Sequence, residues 1–448
     1  MQSKGSGEPA SIPLPKSWLD SLESNGVHIN RLGSKISLYK YSLFYFCKGI
    51  YKGLLLLFQR KSQAQNDKPY AVFSDLSLNN LPVSGQNKSY DIISWYKQSK
   101  IKNPDIQEIW AQVREAKTHQ IPPDIIVCRN IFPRFTKWSY YFKYFYKLFK
   151  AFIVACLNMI YGKWWYGLLF DESAYFHYVS VINDQDVARE YLFHHAGCIN
   201  KPLWTFEAEA KGSRVSLYFY STNSEGFKYG EHTLNADYAL KLLKWNRIIV
   251  WDEQQRDHLK QYCPNAEYQI VGPIYFSDSN ATINNYDSET LISIFDITPT
   301  RPTFYIQLGY AESPYWSPDL SCKFFTDIAL LKTINNATIL WKKKRTVERT
   351  FINKGFSINL SKFHQEKKII PVDPEISARS LIEKCDIVIS MPFTSTAIIA
   401  KELGKPSIFY DASASIEKNE SHGIPVLKNK EELKNWYRSL NIDKVVSS

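Results

Sequence analysis

The chain has 448 residues, 44% of them hydrophobic and 22% charged, which suits two or three folded domains and excludes wholesale disorder. Its net charge of +11 fits an anionic partner: a phosphorylated ligand, an anionic membrane surface or a nucleic acid. Seven widely spaced cysteines with no CxxC pair exclude a disulfide framework and a cysteine-rich zinc site, and the small polar start Met1–Pro15 has no signal-peptide pattern, so a cytoplasmic protein is expected.

Residues 1–16, rich in glycine and proline, read as a disordered lead. Residues 17–62 read as helical, with Lys40, Lys48 and Lys52 set among Tyr, Phe and Leu. Tyr70–Ser74 and Ile125–Cys128 are short apolar runs of the kind that form buried strands. Lys137–Phe170 is the most unusual stretch. Lys143, Lys147 and Lys150 share one helical face there, and the remainder is aromatic and aliphatic. A basic aromatic helix of this kind fits the inner face of a cell membrane; the other reading is a surface helix packed on a large core. The same composition in Leu38–Arg60 favours membrane contact. Neither apolar run, Leu54–Phe58 or Ala151–Tyr161, approaches the roughly 20 residues needed to span a bilayer.

From about residue 180 strands and helices alternate. Val215–Tyr220, Arg247–Trp251 and Tyr268–Val271 read as strands, the last stopping at Gly272. A polar connector over 277–290 precedes a second set, with strands at Leu291–Phe295, Ala337–Trp341, Ile387–Ser390 and Ser407–Tyr410. The alternation predicts α/β architecture with parallel, doubly wound sheets.

The sharpest local pattern is Asp386–Asp411, where a buried strand ends at Ser390 and a helix begins near Thr396. Between them lie Pro392, Thr394 and Ser395. Hydroxyls beside the free N–H groups of a helix start make an anion site suited to a phosphate, beyond what simple capping requires.

The segment Ser390-Met391-Pro392-Phe393-Thr394-Ser395-Thr396-Ala397 resembles the signature of the bacterial polysaccharide biosynthesis "PFTS motif" proteins. Pro202–Asn223, Val250–Gln255, Val271–Ser279, Ser293–Pro299 and His422–Pro425 fit the same likeness in order, over residues 180–435. The resemblance implies a glycosyltransferase-B-like fold: two Rossmann-like domains facing a cleft, here with N-terminal basic aromatic helices. On that reading 17–276 is the acceptor-side domain, 277–290 a linker and 291–448 the nucleotide-binding domain. It also implies a role in surface polysaccharide synthesis. A nucleotide sugar is the expected donor substrate and a polysaccharide or lipid-linked glycan the expected acceptor, with no cofactor.

Sugar transfer to a hydroxyl needs a general base, for which carboxylates serve. Glu207, Glu209 and Asp252 are the candidates, though either glutamate could equally pair with Lys211 or Arg214. Asp296 and Thr298 follow a strand end and are expected to meet the nucleotide; Lys343 is expected to neutralise the leaving phosphate. Lys211, Arg214, Ser221, Asn223, Gly272 and His422 complete the expected cleft. No Asp-x-Asp pair suggests a metal-bound donor, and the pair His194-His195 reads as structural, so a metal-independent transfer is expected. The donor remains open between a nucleoside-diphosphate sugar and a cytidine-monophosphate sugar acid. Two other readings are a nucleotide-sugar epimerase and a non-catalytic assembly or export component. A nucleic-acid partner is not expected, because the basic residues form no single stripe.

Overall fold

The computed structural model describes residues 16–24, 26, 30–58, 68–82, 90–113, 121–196, 200–222, 228–229, 232–233, 240, 242–276, 283–286, 288, 290–297, 299, 317–335, 337–343, 354–366, 368–374 and 376–446. The expected lead up to residue 15 and residues 277–282, 287 and 289 of the connector lie outside the described residues.

The first sheet contains β1 (Tyr70–Leu76), β2 (Glu108–Val113), β3 (Ile125–Cys128), β4 (Glu190–His194) and β5 (Arg214–Tyr218). After a small ribbon, β6 (Lys228–Tyr229) and β7 (His232–Thr233), it adds β8 (Arg247–Val250) and β9 (Glu267–Ile270). Its order is β3-β2-β1-β4-β5-β8-β9, parallel throughout. The second sheet holds β10 (Leu291–Phe295), β11 (Thr338–Lys342), β12 (Ile370–Pro371), β13 (Ile387–Ser390), β14 (Ser407–Tyr410), β15 (Glu420–Ser421) and β16 (Ile424–Leu427). Its order is β12-β11-β10-β13-β14-β16-β15, and only the β15–β16 hairpin is antiparallel. Both orders step away from the first strand and then return to its other side, which makes each half a doubly wound Rossmann-like unit.

The helices are α1 (Lys16–Ser24), α2 (Arg31–Leu57), α3 (Ile92–Gln98), α4 (Trp138–Ile160), α5 (Tyr166–Val181), α6 (Trp204–Ala210) and α7 (Glu253–Lys260) in the first half. The second half has α8 (Pro318–Ala329), α9 (Lys354–Gln365), α10 (Ala378–Lys384), α11 (Ser395–Glu402) and α12 (Lys430–Val446). A parallel sheet covered on both faces needs continuous apolar strands, and Ala71–Phe73 and Ile387–Ile389 are fully buried runs of this kind. Side chains mark where helices begin. Asp91 accepts from the N–H groups of Ile93 and Ser94, and Ser317, followed by Pro318, accepts from Leu320.

Between β3 and β4 the chain leaves the sheet to build α4 and α5, against which α2 packs. These three helices share a small core of Phe46, Ala155 and Phe170. Glycine permits the close approach. A Cβ on Gly167 would lie 2.4 Å from the Ser42 carbonyl oxygen, and one on Gly49 would lie 3.0 Å from the Asp171 Cα. Lys52 of α2 pairs at 2.7 Å with the buried Asp171 of α5, which fixes the register between the two. Among the described residues no helix is long and apolar enough to cross a membrane.

Candidate active site between the two sheets

In a doubly wound sheet the chain departs to opposite sides at one point, and a crevice opens there beyond the carboxyl ends of the strands. In the first half this point lies between β1 and β4. Asp75, the penultimate residue of β1, has a left-handed φ of 58°, where the pairing with β2 shifts register. The backbone oxygen of Asp75 lies 3.0 Å from the Nε2 atom of His194, which ends β4. His195 follows, 3.4 Å from the Ser221 hydroxyl beyond β5. Asp252 stands after β8 as the N-cap of α7, accepting from Gln255 N–H at 2.9 Å. Adjacent strands are about 4.8 Å apart, so Asp75, His194, Ser221 and Asp252 form a polar row along one edge. Asp75 borders a pocket of about 720 Å³ with Gln112, Arg129, Trp204 and Lys52. Its side chain is 31% exposed, so its carboxylate is accessible.

In the second half the switch point lies between β10 and β13, and the Ser390–Thr396 turn leaves from it. Phe393 takes a φ of 61° and turns its ring inward against Phe409. That tight turn gathers three hydroxyls. Ser390 lies 2.9 Å from the Thr396 hydroxyl, Thr394 lies 3.2 Å from it, and Thr394 donates to the Met391 carbonyl. Pro392 is buried within the turn. The first turn of α11 presents its backbone N–H groups beside this cluster.

The two edges touch. The Thr222 N–H donates to the Ser395 hydroxyl at 2.9 Å. Asp252 Oδ2 meets His422 Nδ1 at 2.5 Å, and the His422 side chain is only 1% exposed. Gln254 spans the same gap, donating to Ser421 at 2.9 Å and accepting from the His422 N–H at 2.6 Å. His422 and Gly423 have φ of 55° and 67°, as a two-residue hairpin loop between β15 and β16 requires. Away from the cleft, the Arg379 guanidinium of α10 lies between the rings of Tyr90 and Tyr275, 4.8 Å from each. Gly272, at φ 77°, turns the chain after β9 towards that Tyr275.

Several expected residues lie elsewhere. Glu209 pairs with Lys201 at 2.6 Å and accepts from Asn246, which precedes β8. Lys211 binds the Ile182 carbonyl and Asp184, and Arg214 pairs with Glu190 at 3.1 Å. All three stand at the amino edge of the sheet, because α6 runs back across the face before β5 begins. Glu207 is half-buried on α6 and lines neither pocket edge described above. Asp296 is 1% exposed and accepts the Trp341 indole N–H at 2.9 Å. Lys343 lies 5.4 Å above the Trp341 ring. Asn223 and Thr298 lie outside the described residues. Asp75, Gln112 and Arg129 were not among the expected site residues. The signal for Asp75 is a carboxylate close behind the apolar run Tyr70–Phe73, as Asp252 stands close behind Arg247–Trp251. Among the described residues no group of three or more His, Cys, Asp or Glu side chains is placed to hold a metal ion.

Two Rossmann-like halves with opposed carboxyl edges and a hydroxyl-lined turn at the second switch point define a two-domain α/β protein with an interdomain cleft. The chain belongs to the polysaccharide biosynthesis PFTS motif protein family, whose model matches residues 146–437. No curated protein matches it in sequence. Among solved structures it is similar to the UDP-GlcNAc 2-epimerase of Methanocaldococcus jannaschii, at 9% identity and a TM-score of 0.41, covering 82% of this chain and 92% of that one. It is also similar to an alpha,alpha-trehalose 6-phosphate synthase from Burkholderia multivorans (8% identity, TM-score 0.39, 84% and 88% covered). A third is a lipopolysaccharide outer core galactosyltransferase (10% identity, TM-score 0.37, 83% and 89% covered). These proteins differ in chemistry, so the shared outline selects no reaction.

Proposed function

We propose that this protein transfers a sugar from a nucleotide-activated donor to a growing surface polysaccharide or lipid-linked glycan. The observation that carries this reading is that the carboxyl edges of the two sheets meet at the hydroxyl-lined start of α11, where the Thr222 N–H donates to the Ser395 hydroxyl at 2.9 Å. Membership of a polysaccharide biosynthesis family supplies the context.

In this reading the donor phosphate sits at Ser390, Thr394, Ser395 and Thr396, where the α11 N–H groups and positive dipole end stabilise charge on the leaving group. Lys343, at the carboxyl end of β11, adds positive charge on the same edge. The acceptor hydroxyl enters the pocket beside Asp75, which takes its proton as the sugar is transferred. Asp252 and His422 hold the halves together around the bound donor. No metal takes part, so a chelator leaves the rate unchanged.

The test is thermal unfolding of the purified protein with a panel of nucleoside-diphosphate sugars, cytidine-monophosphate sugar acids and free nucleotides. A ligand at 100 times its Kd adds about 2.7 kcal/mol. One nucleotide class is expected to stabilise the wild type, and Thr396→Val to weaken that effect. Labelled donor is then expected to enter a glycan acceptor, with Asp75→Asn slowing transfer by about 10²–10⁴-fold. If the donor sugar is instead inverted at a ring carbon without transfer, epimerisation replaces this reading. If no nucleotide binds, a non-catalytic assembly role replaces it.

A further inference from the structure

The three-helix unit carries a surface that the cleft does not use. Along α4, Phe142, Tyr146, Phe149, Ile153, Leu157 and Ile160 recur every three or four residues, and each is between 41% and 80% exposed. They form one continuous apolar stripe. On α2, Leu32, Ile36, Leu43, Tyr51 and Leu54 form a second exposed stripe that continues onto its C-cap Phe58. Both helices turn their buried faces onto α5 and meet each other through Phe46 and Phe152. Soluble monomers seldom expose contiguous apolar surface on this scale without using it.

The charges identify what covers it. Neither α2 nor α4 contains a single Asp or Glu. Lys35, Lys40, Lys48, Lys143 and Lys150 are all exposed on them. Aromatic residues stand at both ends of α4, with Trp138 79% and Tyr161 80% exposed. Such side chains favour a headgroup boundary, where one end is apolar and the other wet. A two-fold pairing of this face with a second copy would set lysine against lysine with no acid between them.

We propose that α2 and α4 dock the protein on an anionic lipid bilayer, with the aromatic stripes immersed at the headgroup boundary and the lysines on lipid phosphates. Lys52 of α2 and Tyr175 of α5 also line the Asp75 pocket, so docking holds that pocket beside the bilayer. The docking rests on the helices and stands independently of sugar transfer.

The experiment is co-sedimentation of the full chain with vesicles of phosphatidylcholine alone and of phosphatidylcholine with phosphatidylglycerol. Binding to the anionic vesicles only is expected, falling as salt is raised. Two double variants, Lys143→Glu with Lys150→Glu and Phe149→Ser with Ile153→Ser, are each expected to bind at least tenfold more weakly while keeping the wild-type circular dichroism and Tm. Both pairs are needed, since a loss of fold in one leaves the other to decide. Equal sedimentation with neutral vesicles, none with either, or undiminished binding by a folded variant overturns the proposal. A concentration-dependent dimer that the Phe149 variant abolishes overturns it too, and assigns the face to self-association. Because the readout is sedimentation, its failure leaves the transfer reaction standing, and the reverse also holds.

Discussion

Glu190 accepts the Tyr96 hydroxyl and pairs with Arg214 at 3.1 Å at the amino edge of the first sheet. Burial nonetheless raises its carboxyl above the ordinary value of 4.5, outweighing the Tyr96 hydrogen bond and the charge of Arg214. The folded state therefore holds this proton more tightly than the unfolded chain. The contribution to stability is fully present below the ordinary carboxylate pKa and is lost as pH rises through the raised value. Glu190→Gln is predicted to remove that slope, seen by comparing urea midpoints of variant and wild type from about pH 4 to 7. Arg214→Ala strands a buried carboxylate. The predicted loss is about 2 kcal/mol, less than the roughly 3–5 of a fully buried pair, because Arg214 is 37% exposed. Which side a residue takes is legible from its place relative to a strand. Asp75, at the penultimate position of β1, and Asp252, after β8, stand at the carboxyl edge, whereas Glu209, Lys211 and Arg214 come before or begin β5 and stand at the other edge. Asp296 also follows a strand, yet it points into the core because the Trp341 indole needs an acceptor there. That requirement depends on a contact 45 residues away and leaves no local trace.

Among the elements, the strands were the most legible, because parallel strands buried on both faces are apolar without interruption. The Ser390–Thr396 turn was legible as a strand-to-helix junction, but its inner hydrogen bonds were not. The amphipathic character of α4 was legible too; its packing partners were not, since α2 precedes it by some 100 residues and meets it only through tertiary contact. Glycines decide that contact. Gly167→Val is predicted to push α2 off α5, because even the first added carbon would meet the Ser42 carbonyl oxygen at 2.4 Å. The expected cost is about 1–3 kcal/mol, measured as a lowered Tm. Gly212→Val is opposed by a different cause: a Cβ there meets nothing within 4 Å, but a φ of 89° is one a β-branched residue rarely adopts.

At the scale of the whole molecule, among the described residues, two groups of polar contacts join the halves beside a shared apolar core. One is the Asp252–His422 and Thr222–Ser395 closure at the cleft; the other is Arg379 stacked between Tyr90 and Tyr275. His422→Ala is predicted to open the cleft while leaving the Arg379 contact as a pivot, raising the radius of gyration in small-angle scattering. Adding Arg379→Ala should increase it further, with a loss of about 1 kcal/mol for each ring contact removed. If neither substitution changes the scattering, the halves are held by their apolar contacts alone. The pairing of β1 with β4 has a further consequence, for biosynthesis. Phe73 must wait for Leu192, which leaves the ribosome roughly 120 residues later. At about 5–20 residues per second, the inner edge of β1 stays unpaired for on the order of ten seconds in every nascent chain. α2 has already emerged when that interval begins, and α4 emerges within it, both with their apolar stripes uncovered. Slower initiation, lower temperature or abundant chaperone should therefore raise the yield of soluble protein more than any change in the second half, whose sheet assembles from a shorter span.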